Sequence, residues 1–258
     1  MILLSFDIEE FDLPRESGVN ISLEEAMPVS DKGTNIILDI LKEEKVKGTF
    51  FCTTTFAQHA PETVKRILNE GHELASHGCD HWDPKPEDVI HSKKILEEQT
   101  GVVIRGYRQP RMFPVSKEEL QRQGYLYNSS LHPTCIPGRY NHLDMPRVPF
   151  KEGNLLEIPM SVSPWVRLPL FWLACHNYPF GLYKRLCRWT HNHDGQFVIY
   201  FHPWEFYELN EHPEWKIPYI IRHHSGEGMR SRLRGLIETF KEDKAEFVTF
   251  TEFIKRKF

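Results

Sequence analysis

Short apolar runs alternate with amphipathic stretches through the first half of the chain. Ile2-Leu3-Leu4-Ser5-Phe6 reads as a buried strand. Residues 10–28 read as a loop. Ser30 or Asp31 can cap a helix over residues 35–44, because Ile36, Ile37, Ile40 and Leu41 share one face at the helical period. Residues 48–53, aromatic and β-branched, predict a second strand. Pro61 opens a helix through Leu68 that stops near Gly71. Residues 73–76 form a third strand. Pro86 opens a helix to about Gln99 with Val89, Ile90 and Ile95 inward, and residues 104–107 make a fourth strand. Ser116 and Glu119 have capping-box spacing for a helix ending at Gly124.

The second half is less regular. Its pattern predicts strands over 155–159, 197–201 and 247–250, and helices over 178–191 and 226–242. Leu233, Leu236, Ile237 and Phe240 face inward on the latter, and a short helix follows the last strand. Repeated β–α alternation implies an α/β fold with a mostly parallel sheet and right-handed crossovers. Sites in such sheets form at the carboxyl ends of strands. No repeat, low-complexity tract or linker divides the chain, so residues 1–258 read as a single domain, a length that suits one α/β barrel.

Composition narrows the partners. The net charge of −4 leaves no basic excess to neutralise phosphates, which argues against nucleic acid. Apolar residues at 40% and charged residues at 26% describe an ordinary globular protein. No apolar run approaches the ~20 residues of a transmembrane helix. Met1 to Phe6 has no basic lead and stops at Asp7, unlike a secretory leader, so a cytoplasmic location is expected. The five cysteines include no CxxC pair, which favours reduced thiols over disulfides or a thiolate zinc site.

Four polar clusters fall at or just beyond strand ends. In extended chain Asp7 and Glu9 share a face while Ile8 points away, and two carboxylates on one face suit a metal ligand plus a general base. His77 and His81 lie four apart, a spacing that on one helical turn lets both imidazoles reach one divalent ion; among 14 histidines such a pair also arises by chance. Gly71 and Gly78 allow a sharp turn beside them. Arg108, in Tyr107-Arg108-Gln109-Pro110-Arg111, can grip a carboxylate. His202 is delivered by the strand 197–201 to its carboxyl end, where an imidazole can serve as general acid. Tyr107, Trp165, Trp172 and Trp204 offer flat apolar surfaces for a sugar.

Taken in order, these clusters resemble the motifs of the polysaccharide deacetylases, the family-four carbohydrate esterases with a nodulation-type domain. Ser5-Phe6-Asp7-Ile8-Glu9 looks like the first motif. The run from Gly71 to His81 is similar to the second, histidine motif and is the most specific match. Arg108-Gln109-Pro110 looks like the third, and Phe201-His202 the last. The segments 125–130, 156–159 and 202–205 resemble a subgroup tied to bacterial exopolysaccharide and lipopolysaccharide biosynthesis. The resemblance implies a distorted, incomplete (β/α) barrel of about seven strands. It implies one divalent metal ion, usually zinc, and hydrolysis of an acetyl group, above all N-acetyl, on a sugar or glycan precursor. Carried over, His77 and His81 bind the metal, Asp7 is the base, Arg108 orients it, His202 is the acid, and the Arg111 amide joins the oxyanion hole. Ile8 stands where the family has a metal-binding Asp, so Glu9 is the expected third ligand. No Asp partner for His202 is visible. Two rivals remain: an allantoinase-like amidase on the same scaffold, and an inactive carbohydrate-binding homologue, which Ile8 favours.

Overall fold

The computed structural model describes all residues from Met1 to Phe258. Its strands are β1 (Ile2–Ile8), β2 (Thr49–Cys52), β3 (Glu73–Ser76), β4 (Gly106–Tyr107), β5 (Tyr127–Asn128), β6 (Cys135–Ile136), β7 (Tyr140–Asn141), β8 (Phe150–Glu152), β9 (Leu155–Glu157) and β10 (Phe197–Phe201). The main sheet runs β10-β1-β2-β3-β4-β5-β9-β8. All of its pairings are parallel except the β8–β9 hairpin. Seven strands thus form the parallel body, with β8 as an antiparallel edge, and the sheet curls into an incomplete barrel. Beyond β9 the gap to β10 is bridged once: the Ser161 N–H donates to the Val198 carbonyl at 3.0 Å, and the Val198 N–H to Ser161 Oγ at 2.8 Å. No helix is long and apolar enough to cross a membrane.

The two-residue alternation of β1 sorts its side chains. Ile2, Leu4, Phe6 and Ile8 pack outward into the large core beneath the helices. Leu3 points inward with Phe51, Ala75, Tyr127, Val198 and Tyr200. A strand buried on both faces reads as a continuous apolar run, which is why its sequence is so uniform. Ser5 and Asp7 follow Leu3 on the inner face and are the polar exceptions. Both are buried.

Several elements differ from the sequence pattern. The first long helix spans Leu23–Glu43, starting well before Ser30. Ser22 and Glu25 form a full capping box, and Pro28 lies inside the helix past its first turn, where it has no N–H to give to the helical ladder. The helix Asp88–Thr100 turns Ser92 and Leu96 inward beside Val89. Ile90, expected inward, is exposed. The fourth strand shrinks to Gly106–Tyr107, and Val248 to Phe250 does not pair as a strand. Only Phe247 bridges to Ile2 before the helix Phe250–Lys257 begins, capped by Thr249. The hairpin β6–β7 was not foreseen. By contrast the helices Pro61–Asn69 and Glu227–Glu242 keep close to their expected bounds.

Candidate active site

Five strand ends deliver the chemistry. Asp7 lies on β1, His77 directly follows β3, Arg108 follows β4, Ser129 follows β5 and His202 follows β10. They meet at the carboxyl end of the barrel, beside a cavity of about 280 Å³ lined by Asp7, Glu9, His77, His81, Arg111, His202 and Trp204.

Glu9 Oε2 lies 3.2 Å from His77 Nε2 and 3.2 Å from His81 Nε2. These three residues could hold one metal ion. Their outward nitrogens are already committed. His77 Nδ1 contacts the Arg108 carbonyl at 2.8 Å, which fixes its proton there, and His81 Nδ1 contacts Asp12 Oδ2 at 2.9 Å. Both Nε2 atoms are therefore left to face the same point as the Glu9 carboxylate. Two oriented imidazoles and a carboxylate fit a divalent cation. Trp204 Nε1 lies 3.5 Å from the other Glu9 oxygen. Burial pushes the Glu9 carboxyl well up, against the attraction of His81. Burial opposes the charge on His81, but Glu9 and Asp12 outweigh it and raise its pKa.

His77 and His81 do not share a helical turn, as their spacing suggested. Residues 77–87 are irregular. Gly78 takes φ +75 just after His77. The Thr54 and Thr55 N–H groups, at the start of the helix Thr54–His59, donate to the Gly78 and Cys79 carbonyls. Glu10 completes the anchoring: it accepts the His81 N–H at 2.7 Å and the Thr53 hydroxyl at 2.8 Å.

Asp7 stands apart from this cluster. Arg108 Nη1 donates to its Oδ1 at 2.5 Å. The guanidinium is fully buried, 3.8 Å from the Phe51 ring centre, and donates also to the Ser129 carbonyl and to Ser5 Oγ. All three of its nitrogens are engaged, so the Asp7 carboxylate is held in one orientation. Ile8 lies buried on the opposite face of β1 in the outer core.

His202 Nδ1 lies 3.0 Å from Glu205 Oε1. Glu205 is the partner that no Asp in the sequence supplied. Its other oxygen lies 3.1 Å from His176 Nε2. Burial drives the His202 pKa well below its ordinary value, and nearby His81, His77 and Arg108 add to this. Glu10, Asp12, Glu205 and His176 were missed in the sequence. Only Glu205 left a signal, because it stands three residues after His202, across a Pro-initiated 3-10 turn.

Arg111, Trp204 and Trp172 line the cavity. Arg111 sits at φ +57, and its backbone N–H donates to no protein acceptor. Tyr107 does not reach the cavity. It is fully buried, its ring packs on Tyr125, and its hydroxyl donates to Gln109 Oε1 at 2.9 Å. Trp165 lies far out on the surface at 79% exposure.

Residues 14–114 match the family model described as polysaccharide deacetylase. That stretch, which holds His77, His81 and Arg108, is thus similar to the polysaccharide deacetylases. Residues 129–254 match a second model, described as a domain of unknown function (DUF3473). Asp7 and Glu9 precede the first matched segment, while His202, Trp204 and Glu205 belong to the second. β1 lies outside both segments and joins them in one sheet, pairing with β2 of the first and β10 of the second. A peptidoglycan-N-acetylmuramic acid deacetylase of Bacillus subtilis, PdaA, is 43% identical over 100 residues, covering 34% of this chain and 38% of that protein. The chain spans less than half the length of the first curated relatives it matches. A structure from Mycobacterium smegmatis, assigned to the polysaccharide deacetylases, superposes with a TM-score of 0.68 at 20% identity, covering 99% of this chain and 88% of that one. The PuuE allantoinase superposes with 0.67 at 14% identity, covering 97% and 87%. These likenesses show a shared fold.

Proposed function

We propose that the chain is a metal-dependent hydrolase that removes an acetyl group, N-acetyl above O-acetyl, from a sugar of a glycan or glycan precursor and releases acetate. One observation carries this reading. A Glu9–His77–His81 donor set and an Arg108-held Asp7 line the same cavity as a Glu205-backed His202. The family match and the peptidoglycan deacetylase among the relatives favour a sugar acetyl group. An exopolysaccharide or lipopolysaccharide setting rests on the motif resemblance alone. The two matched segments are read together as one catalytic domain over residues 1–258, because each contributes part of the cavity wall.

Glu9, His77 and His81 would hold the ion, zinc suiting two imidazoles and one carboxylate. Such an ion supplies polarisation of an acyl oxygen and acidification of water. The protein's own groups do the rest. Asp7, held by Arg108, takes the proton of the attacking water. The unpartnered Arg111 N–H donates to the oxyanion of the tetrahedral intermediate, a contribution of roughly 3–4 kcal/mol for a well-placed donor. His202 keeps its Nδ1 proton on Glu205 and gives a proton from Nε2 to the leaving sugar amine. Burial keeps the His202 ring neutral at rest, so the proton it delivers is the one that Asp7 has taken from the water.

Elemental analysis paired with an acetate-release assay tests the reading. The protein should carry about one metal per chain and liberate acetate from N-acetylglucosamine oligosaccharides. Opening of the allantoin ring without acetate release would move the assignment to the amidase side of the fold.

A further inference from the structure

A second cavity, about 610 Å³, adjoins the first across a wall made by Arg111, Met112, Arg139 and Tyr140, which line both. Its floor is polar and connected. The Gln109 N–H donates to Ser130 Oγ at 2.8 Å, and the Ser130 hydroxyl to Asn128 Oδ1 at 2.5 Å. Asn128 Nδ2 then donates to both oxygens of Glu157, at 3.1 and 3.0 Å. The chain of donors ends on that carboxylate. Glu157 is 1% exposed. No cation pairs with it, since the nearby Lys117 is paired with Glu152. Burying a carboxylate without a cation costs several kcal/mol, and one amide does not use up its lone pairs.

We propose that this cavity binds the neighbouring sugar unit of the glycan, with Glu157 accepting hydrogen bonds from that unit's hydroxyl or amine groups. The volume lies in the ordinary range for small-ligand sites. The chemistry also suits a pyranose. Two carboxylate oxygens can take two adjacent donors, while Tyr140, Met112 and Met145 give the apolar surface that the ring's C–H faces need. The shared wall places the occupant next to the first cavity, so a polymer or oligomer can lie across both. Free hydroxyl and free amine are the two sources of donors. A carboxylate floor takes either, and a unit already stripped of its acetyl group offers the stronger charge-assisted bond.

This rests on the acetyl-sugar reading above, and the test separates the two. N-acetylglucosamine and its oligomers of two to four units are assayed for acetate release with wild-type protein, Glu157→Gln and Met145→Trp. The last variant fills the second cavity from a partly exposed position. The same oligomers, and their deacetylated counterparts, are titrated by calorimetry. For the wild type, kcat/KM and affinity should rise at least tenfold from monomer to oligomer. Both variants should lose most of that rise, with KM changing more than kcat. Deacetylated oligomers binding more tightly than acetylated ones, in a Glu157-dependent way, identify the amine as donor; equal binding identifies hydroxyls. A wild type that treats monomer and tetramer alike overturns the subsite and leaves the activity reading standing. Length-dependent, Glu157-dependent binding with no acetate release does the reverse. An intact length effect in both variants also overturns it.

Discussion

Glu205 Oε1 takes both the ring and the main chain of His202: it lies 3.0 Å from Nδ1 and accepts the His202 backbone N–H at 2.6 Å. One carboxylate oxygen therefore fixes the position and the tautomer of the imidazole together. His176 holds the other oxygen, so the carboxylate cannot swing. Burial pushes the Glu205 carboxyl well up, and the His202 N–H is the main counterweight.

Glu205→Gln should keep metal content and fold but lower kcat by roughly 10²–10⁴-fold, because a neutral amide lacks the charge that stabilises the imidazolium and can turn its NH2 towards Nδ1. Steady-state kinetics with elemental analysis checks this. A variant with normal kcat would remove Glu205 from the acid's support.

Asp7 and Glu9 should separate experimentally. Glu9→Ala is expected to lose most bound metal, since it removes one of three ligands. Asp7→Asn should retain metal while losing turnover by roughly 10²–10⁴-fold. Metal loss with Asp7→Asn and retention with Glu9→Ala would exchange their roles.

Gly33→Ala tests how the first long helix supports the acid. Helix propensity alone predicts a gain of about 1 kcal/mol. A Cβ at Gly33, however, would collide with the Pro203 carbonyl oxygen. That oxygen is backbone and cannot rotate aside. The expected result is a loss of about 1–3 kcal/mol, with reduced kcat because Pro203 adjoins His202. Denaturant melts beside kinetics decide it, and a stabilised, fully active variant would contradict the close approach.

Acid should destabilise the fold through its buried neutral histidines. Burial lowers His72 to about 4, and His132 and His176 to about 3. Between these values and the ordinary ~6.5 the unfolded chain binds more protons than the folded one, so stability falls as pH drops from about 7 to 4. Each histidine contributes up to about 1.4 kcal/mol per pH unit in its window. Urea midpoints at pH 7, 5.5 and 4.5 measure the slope. His72→Asn, whose amide oxygen can still accept the Gly48 N–H now donated to His72 Nδ1 at 3.2 Å, should flatten it. A pH-independent midpoint for the wild type would contradict the neutral buried histidines.

Chain order and side-chain period by themselves determined much of this protein. The uniform apolar run of β1 implied burial on both faces, and the two-residue period put Asp7 and Glu9 together and Ile8 opposite. Those are local geometric facts, which any extended segment must obey. The alternation of strands and helices likewise set the parallel barrel and the end at which its site lies. Tertiary structure decided what depends on residues far apart in the chain. Tyr107 looked available beside Arg108, yet the barrel turns Arg108 inward to Asp7 and Tyr107 outward against Tyr125. The histidine pair met at one point through loop anchoring by Glu10, Thr54 and Thr55 rather than through a helical turn. His176 had no readable role until folding placed it against Glu205, and Glu157 gained its meaning only when Asn128 and a cavity closed over it. Pairing across such distances is set by how whole elements pack, which no periodicity along the chain encodes.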